Sequence, residues 1–447
     1  MPGLSFAVPH ASRRRLVVPA LIAGLVCLLA LAGCVAINVQ PVIGAEFADV
    51  LRGVIGDQAV AELETVVYRV QDSAQQWVYR LGGSRPSVPW VGTPVAAIAT
   101  IPASPTPPAT PSPLSAIATA TSDAAVVTAG QQPTLTQSTL TQSTLTQSAP
   151  SPTPVPTGVN TATPIATPVW VPLPLTAIGS LPGEGQWSAY IHDASGRTVA
   201  YRTFIQPDPQ RPYAVVAIVA FDLDLVRLRY VLGSLEPHSP IALDRPGTIP
   251  PNDLQPGVLL AAFNGGFKAR EGLFGVMVNG VTVLAPRVDQ GTVALYSDNR
   301  VRIGAWGTDI NPSPDIVAWR QNGPLIIHQG QINPHTAEIA PWDWGYSLDG
   351  ATAVWRSGLG LSPDNRILYY VAGPNLVTSA LAAAMATTGV SEAMQLDINN
   401  FWVHFESIQA VGGSLQASPL LDSMASSTGR FLKSYARDFF YITAIGQ

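Results

Sequence analysis

The chain has 447 residues, of which 47% are hydrophobic and 12% charged, and its formal net charge is −5. That length accommodates about two or three domains, and the acidic balance leaves no basic footprint, so nucleic acid is excluded as an expected partner. The two cysteines, Cys27 and Cys34, both fall in the first apolar stretch, so the rest of the chain has neither a disulfide nor a thiolate metal site.

Residues 1–15 read as a basic cytoplasmic N-terminus ending in Arg13-Arg14-Arg15. Residues 16–37 follow without a charge. As a helix they span roughly 30 Å, the thickness of a bilayer core. The arginines hold their end on the cytoplasmic side and send the bulk of the chain outside. The preferred reading is an uncleaved transmembrane helix. The other is a lipoprotein signal, because Leu31-Ala32-Gly33-Cys34 resembles a lipobox with Cys34 as the lipidated residue. The apolar run continues past Cys34, where a cleaved signal has a shorter core. Either anchor predicts a cell-membrane protein whose bulk is extracytoplasmic.

Residues 45–80 place Phe47, Val50, Leu51, Val54, Leu63, Val66, Val67, Val70 and Trp77 at helical spacing, which predicts a juxtamembrane helical segment. Gly53 and Gly56 divide it into two pieces. Residues 86–174 are rich in Ser, Thr, Pro and Ala, carry Asp123 as their one charge, and repeat Thr-Leu-Thr-Gln-Ser from Thr134, Thr139 and Thr144. Such a composition buries too little surface to offset the entropy of ordering. It predicts a disordered stalk, similar to glycosylated stalks, that holds the remaining domain away from the membrane.

Residues 175–447 are long enough for one sizeable core. The run 213–221 is continuously apolar, which predicts a strand buried on both faces. Residues 226–232 alternate, predicting a half-exposed strand. Shorter strands are expected at 259–263, 275–278, 292–296, 301–303, 325–328 and 367–371, with a hairpin at Asn279-Gly280. One helix is clear, at 376–388 before Gly389. The predicted class is α+β, with strand-rich mixed or antiparallel sheets and few helices.

The segment 393–402 concentrates the candidate chemistry. An apolar strand ends in Asp397, and Asn399, Asn400, Phe401 and Trp402 follow. A carboxylate at a strand tip is held rigidly and partly desolvated, which shifts its pKa and orients it toward a ligand. The alternative reading is an Asx-type turn. Three other motifs stand out. Asn264-Gly265-Gly266-Phe267 ends a strand with glycines that permit close backbone approach. Arg320-Gln321-Asn322-Gly323-Pro324 leads into the strand ending at His328, and Arg356-Ser357-Gly358-Leu359-Gly360 precedes another strand. An arginine near glycines can offer a bidentate fork to phosphate, and a surface arginine beside a hairpin reads the same way.

In this order and spacing, with the helix at 376–388 between the last two, these motifs resemble the phosphodiester glycosidase domain family over residues 210–445. The resemblance implies a hydrolase of glycosyl phosphodiesters acting on a glycan or sugar-phosphate polymer at the cell surface. The family's glycine-rich loop after its aspartate is replaced here by Ile398-Asn399-Asn400-Phe401-Trp402. A non-catalytic carbohydrate-binding or envelope-organising protein is therefore the alternative. Cleavage of such a diester passes through an oxocarbenium-like state that needs a carboxylate and cations for the phosphate. The expected roles are catalysis for Asp397, with His404 foremost among the proton-donor candidates His328, His335 and His404. Substrate binding falls to Asn264, Gly265, Gly266, Arg320, Arg356, Asn399, Asn400 and Trp402. No second carboxylate can be singled out from Glu338, Asp343, Asp349 and Glu406. No cofactor is expected and no metal-ligand spacing is recognised, although a calcium site of oxygen ligands leaves no such spacing.

Overall fold

The computed structural model describes residues 50–83, 85–90, 170–338, 344 and 349–445. The expected anchor at 16–37 and most of the expected stalk lie outside these residues. Among the described residues no helix is long and apolar enough to cross a membrane.

Helix α1 (Asp57–Arg80) starts after Gly56, whose φ of +87° separates it from the preceding turns. Its inner side is fastened to the strand domain. Asp72 accepts two hydrogen bonds from Arg211, at 2.9 and 2.7 Å, and one from Tyr213 at 2.8 Å. Arg69 pairs with Asp349 at 2.6 Å. Tyr68 packs against Phe267, Phe274, Val354 and Ile398. Leu63, Val66, Val70 and Trp77 face outward. The domain's chain begins earlier than residue 175. Trp170 packs edge-on to Tyr201 at 5.6 Å, and the Trp187 indole N–H donates to the Leu173 carbonyl at 2.8 Å. Within the first residues of the expected stalk, Trp90 lies 4.4 Å from the Arg202 guanidinium and packs against Phe204.

The strands in chain order are β1 (Ser188–His192), β2 (Thr198–Ile205), β3 (Val216–Asp222), β4 (Val226–Val231), β5 (Leu259–Asn264), β6 (Val276–Val278), β7 (Val281–Leu284), β8 (Gly291–Tyr296) and β9 (Val301–Ala305). They continue as β10 (Ile316–Gln321), β11 (Leu325–His328), β12 (Gln331–Ile332), β13 (Val354–Leu361), β14 (Ile367–Leu376), β15 (Glu392–Gln395), β16 (Phe405–Val411), β17 (Ser414–Pro419) and β18 (Phe439–Ala444). Helix α2 (Thr378–Ala386) lies between β14 and β15.

Three sheets result, with orders β1-β2-β3-β14-β13-β15-β11-β12, β7-β6-β10-β8-β9 and β17-β16-β5-β18-β4. Every strand pairing in them is antiparallel. The class is α+β and strand-rich, as the patterning predicts. β3 is buried at every position, as a continuous apolar run requires, whereas β4 alternates. Asn279 and Gly280 turn the β6–β7 hairpin with φ of +50° and +76°, the two positive values of a type I′ turn. The expected helix is shorter than 376–388, because β14 continues through Gly373 and Pro374 to Leu376.

The largest core draws on all three sheets. Phe263 of β5 stacks on Phe405 of β16 at 6.0 Å, with Phe221 of β3 and Tyr370 of β14 beside Phe405. Each such ring contributes about 1.5–3 kcal/mol by leaving water. A second core lies between α2 and the other face of the eight-stranded sheet.

Candidate active site

Three chain segments converge because of strand register. β18 pairs with β5 so that Phe439 faces Asn264. The residues just before β18, Arg437 and Asp438, therefore fall beside Gly265 and Gly266. β16 pairs with β5 on the other side, Phe405 facing Phe263, which brings His404 next to Asn264. β15 pairs with β13, and the ladder extends one step past it. Leu396 donates to the Ser357 carbonyl at 2.8 Å and Ser357 donates back to the Asp397 carbonyl at 3.0 Å. Asp397 is thereby fixed at the tip of β15.

The Asp397 carboxylate is buried, with 4% of the residue exposed. One oxygen accepts the backbone N–H groups of Ile398 and Asn399, at 2.8 and 3.2 Å. The Asx-type turn is thus present, and it orients the acid. The other oxygen lies 2.7 Å from Nη2 of Arg437, which also donates to the Gly266 carbonyl at 2.7 Å. Burial raises the pKa of Asp397 above the ordinary aspartate range; Arg437 opposes the rise and the negative charge of Glu271 adds to it. Burial pulls on Arg437 in the opposite sense, but Asp397, Glu271 and Asp438 outweigh it, and the guanidinium stays charged.

Trp402 covers this pair. Its indole lies 4.7 Å from the Arg437 guanidinium and 5.6 Å from the Lys268 ammonium, and Phe401 packs edge-on at 4.6 Å. Asn399 shapes the loop, since its side chain accepts the Phe401 N–H at 2.9 Å and its carbonyl accepts the N–H groups of Trp402 and Val403. Asn400 is half-buried in the same turn. Arg430 closes the far side, 4.5 Å from the Phe401 ring and donating to the Tyr435 hydroxyl at 3.0 Å. Glu271 belongs to the short turn Ala269–Glu271 and accepts the Lys268 N–H at 3.0 Å. Two cations, Lys268 and Arg437, therefore lie against the Trp402 indole, with Asp397 paired to Arg437 and Arg430 against the neighbouring Phe401 ring. A chain of mixed charge and aromatic surface of this kind suits an anionic ligand with a sugar face.

The remaining residues expected to bind substrate or move protons are engaged elsewhere. Arg356 is fully buried and donates five hydrogen bonds, to the carbonyls of Leu376, Trp344, Asp349 and Thr352 and to Oε1 of Gln395. Its donors are taken up by the protein, so the phosphate role expected for it is withdrawn. Arg320 pairs with Asp438 at 2.8 Å in a buried pair and also donates to the carbonyls of Gln321 and Phe267. It too has no face toward a ligand. The glycines beside it have a packing reason. A Cβ on Gly265 would stand 2.3 Å from Oδ2 of Asp438, and one on Gly266 would stand 3.1 Å from Nη2 of Arg320. Asn264 donates to the Gly265 carbonyl and to the Ser357 hydroxyl, and accepts from the Tyr370 hydroxyl and the His404 N–H. It joins strands rather than holding a sugar.

His404 is buried against Phe431, with Nε2 3.3 Å from a Glu406 oxygen that also accepts the Gly429 N–H. Burial lowers its pKa, against the pull of Glu406. Burial thus favours its neutral form, and its place in the core lends the proton-donor role expected for it no support. His335 pairs with Glu338 at the surface, and His328 with Glu392. Lys268, Glu271, Arg430 and Arg437 were not singled out from sequence. They lie on short turns before strands, where no periodicity marks them.

A family model supports a glycosidase-type hydrolase for this fold. That family model is phosphodiester glycosidase, and it matches residues 258–397. The match runs from the entry of β5 to Asp397 and stops before Trp402 and Arg437. No curated protein matches the chain. Among the solved structures similar to it are the following three. The zebrafish N-acetylglucosamine-1-phosphodiester alpha-N-acetylglucosaminidase catalytic domain, auto-inhibited by pro-peptide, is 13% identical over 62% of this chain and 87% of that one, with a TM-score of 0.30. A hypothetical protein from Synechocystis is 11% identical over 57% of this chain and 64% of that one, with a TM-score of 0.30. A putative exported protein from Burkholderia pseudomallei is 10% identical over 52% of this chain and 74% of that one, with a TM-score of 0.25.

Proposed function

We propose that the protein is a membrane-tethered extracytoplasmic hydrolase that cleaves glycosyl phosphodiesters of cell-surface or extracellular glycopolymers. The observation that carries this reading is the Asp397–Arg437 pair beneath Trp402. Departure of a phosphate from a sugar leaves positive charge at the anomeric carbon and negative charge on the phosphate. Asp397, in its carboxylate form, stabilises the first or activates the attacking water. Arg437 and Lys268 stand where the second can be met, and Trp402 offers a face to the sugar ring. Glu271 supplies the second carboxylate, acting on the same guanidinium from the opposite chain segment. The arginines before the charge-free run 16–37 support the tether, and the Ser/Thr/Pro-rich stretch supports reach through a cell envelope.

A second reading, a carbohydrate-binding module without turnover, is favoured by one observation. Ile398-Asn399-Asn400-Phe401-Trp402 stands where the family has a glycine-rich loop, and the N–H groups of Ile398, Asn399, Phe401 and Trp402 are taken up within the turn by Asp397 and Asn399. Incubating the full chain in detergent with sugar 1-phosphodiesters separates the two. Release of free sugar supports the hydrolase. Saturable binding of the same compounds with no product supports the module.

A further inference from the structure

At the opposite end of β15 from Asp397, about 16 Å along the strand, three side chains from two sheets converge. His328 ends β11 and Glu392 begins β15, antiparallel neighbours in the eight-stranded sheet. Asp309 comes from the turn that follows β9 of a five-stranded sheet. One ligand atom from each lies within 4.8 Å of the others, and all three residues are half-buried.

Each carboxylate is held by the backbone before any ion arrives. Oε1 of Glu392 accepts the Gln329 N–H at 3.0 Å, which leaves Oε2 aimed at Nδ1 of His328, 2.9 Å away. Oδ2 of Asp309 accepts the Ala305 N–H at 2.8 Å and lies 3.6 Å from the same Nδ1. A proton on Nδ1 can serve only one of the two carboxylates. Among the described residues no lysine or arginine pairs with either one. Two carboxylates and one imidazole, a set of metal-ligating groups, thus face each other.

The spacing also fits. Zinc with ligand bonds of about 2.0–2.1 Å sets neighbouring tetrahedral ligand atoms about 3.3 Å apart. The two distances from Nδ1, 2.9 and 3.6 Å, bracket that value. Calcium and magnesium call for six or more oxygens, whereas one imidazole with two carboxylates suits zinc and its transition-metal neighbours. We propose that Asp309, His328 and Glu392 bind a divalent transition-metal ion, zinc foremost, with water completing its coordination. The ion clamps the turn after β9 to the β11–β15 edge and stabilises the junction of two sheets. It stands apart from Asp397 and takes no part in sugar chemistry.

The test uses the full chain in detergent, stripped with chelator and titrated with zinc, manganese or calcium by calorimetry, with thermal melting in parallel. One saturable zinc per chain and a zinc-dependent rise in Tm are expected. His328→Gln and Glu392→Gln should each weaken zinc binding by about tenfold or more, and Cys27→Ser with Cys34→Ser should not. If His328→Gln does not fold, Asp309→Asn is read in the same way. Absence of saturable zinc on the stripped protein, calcium binding tighter than zinc, or undiminished affinity in the ligand variants overturns the proposal.

Discussion

Nη2 of Arg437 lies 2.7 Å from Oδ2 of Asp397, and the same nitrogen reaches the carbonyl of Gly266. One guanidinium therefore joins the tip of β15, the loop after β5 and the lead into β18. That contact brings three strand ends together, and it opposes the rise that burial imposes on the pKa of the acid.

Its first consequence is a pH profile. Burial raises the folded-state pKa of Asp397, with Arg437 pulling it back down. If the carboxylate is the working form, kcat/KM rises with pH through that raised pKa, so the acid limb falls above the ordinary aspartate value of about 3.9. Arg437→Met removes the opposing charge and should move the limb to still higher pH. Profiles of kcat/KM for the two proteins check this, and a limb that does not move on substitution speaks against the pairing.

Trp402 stands over Arg437 as a platform. Trp402→Ala should raise KM for a sugar 1-phosphodiester by about tenfold, the worth of one desolvated cation–π or stacking contact, with a smaller change in kcat. Trp402→Phe should recover most of the loss. Steady-state kinetics at fixed pH separates the two parameters.

Arg320 and Arg356 should behave as structural groups. Arg320→Ala leaves Asp438 buried without its partner, at a cost of about 3–5 kcal/mol. Arg356→Ala strands several carbonyls at once and should cost about 3 kcal/mol or more. Denaturant unfolding measures both. A loss of activity in either variant without loss of stability contradicts the assignment.

His404 gives a stability signature. Burial depresses its folded-state pKa below the unfolded value of about 6.5. Its contribution is complete above the unfolded pKa and is lost as pH falls toward the folded one. Stability should therefore decline on acidification from about pH 6.5, and His404→Gln should flatten part of that slope. Melts across the range from neutral to mildly acid pH read it directly.

Much of the fold was legible in the sequence where one rule dominated. The apolar run of β3, the alternation of β4 and the Asn279-Gly280 turn each have one physical reading. β13 was not legible, because Arg356-Ser357-Gly358-Leu359-Gly360 reads as a ligand loop. Its glycines instead admit Met385 of α2, whose sulfur would stand 2.8 Å from a Cβ on Gly358. Of the candidate site, the sequence marks the segment from Asp397 through Asn399 and Asn400 to Trp402 and leaves Arg437 unmarked. Arginines near glycines look alike whether they meet phosphate or carbonyls, and only the register of β18 on β5 reveals Arg437 as the partner.

The measurement that bears most directly on the account is turnover of a sugar 1-phosphodiester by the full chain and by Asp397→Asn. The wild-type protein should release free sugar, and the substitution should lower kcat by about 10²–10⁴-fold with KM little changed. Equal turnover by the two proteins would contradict it.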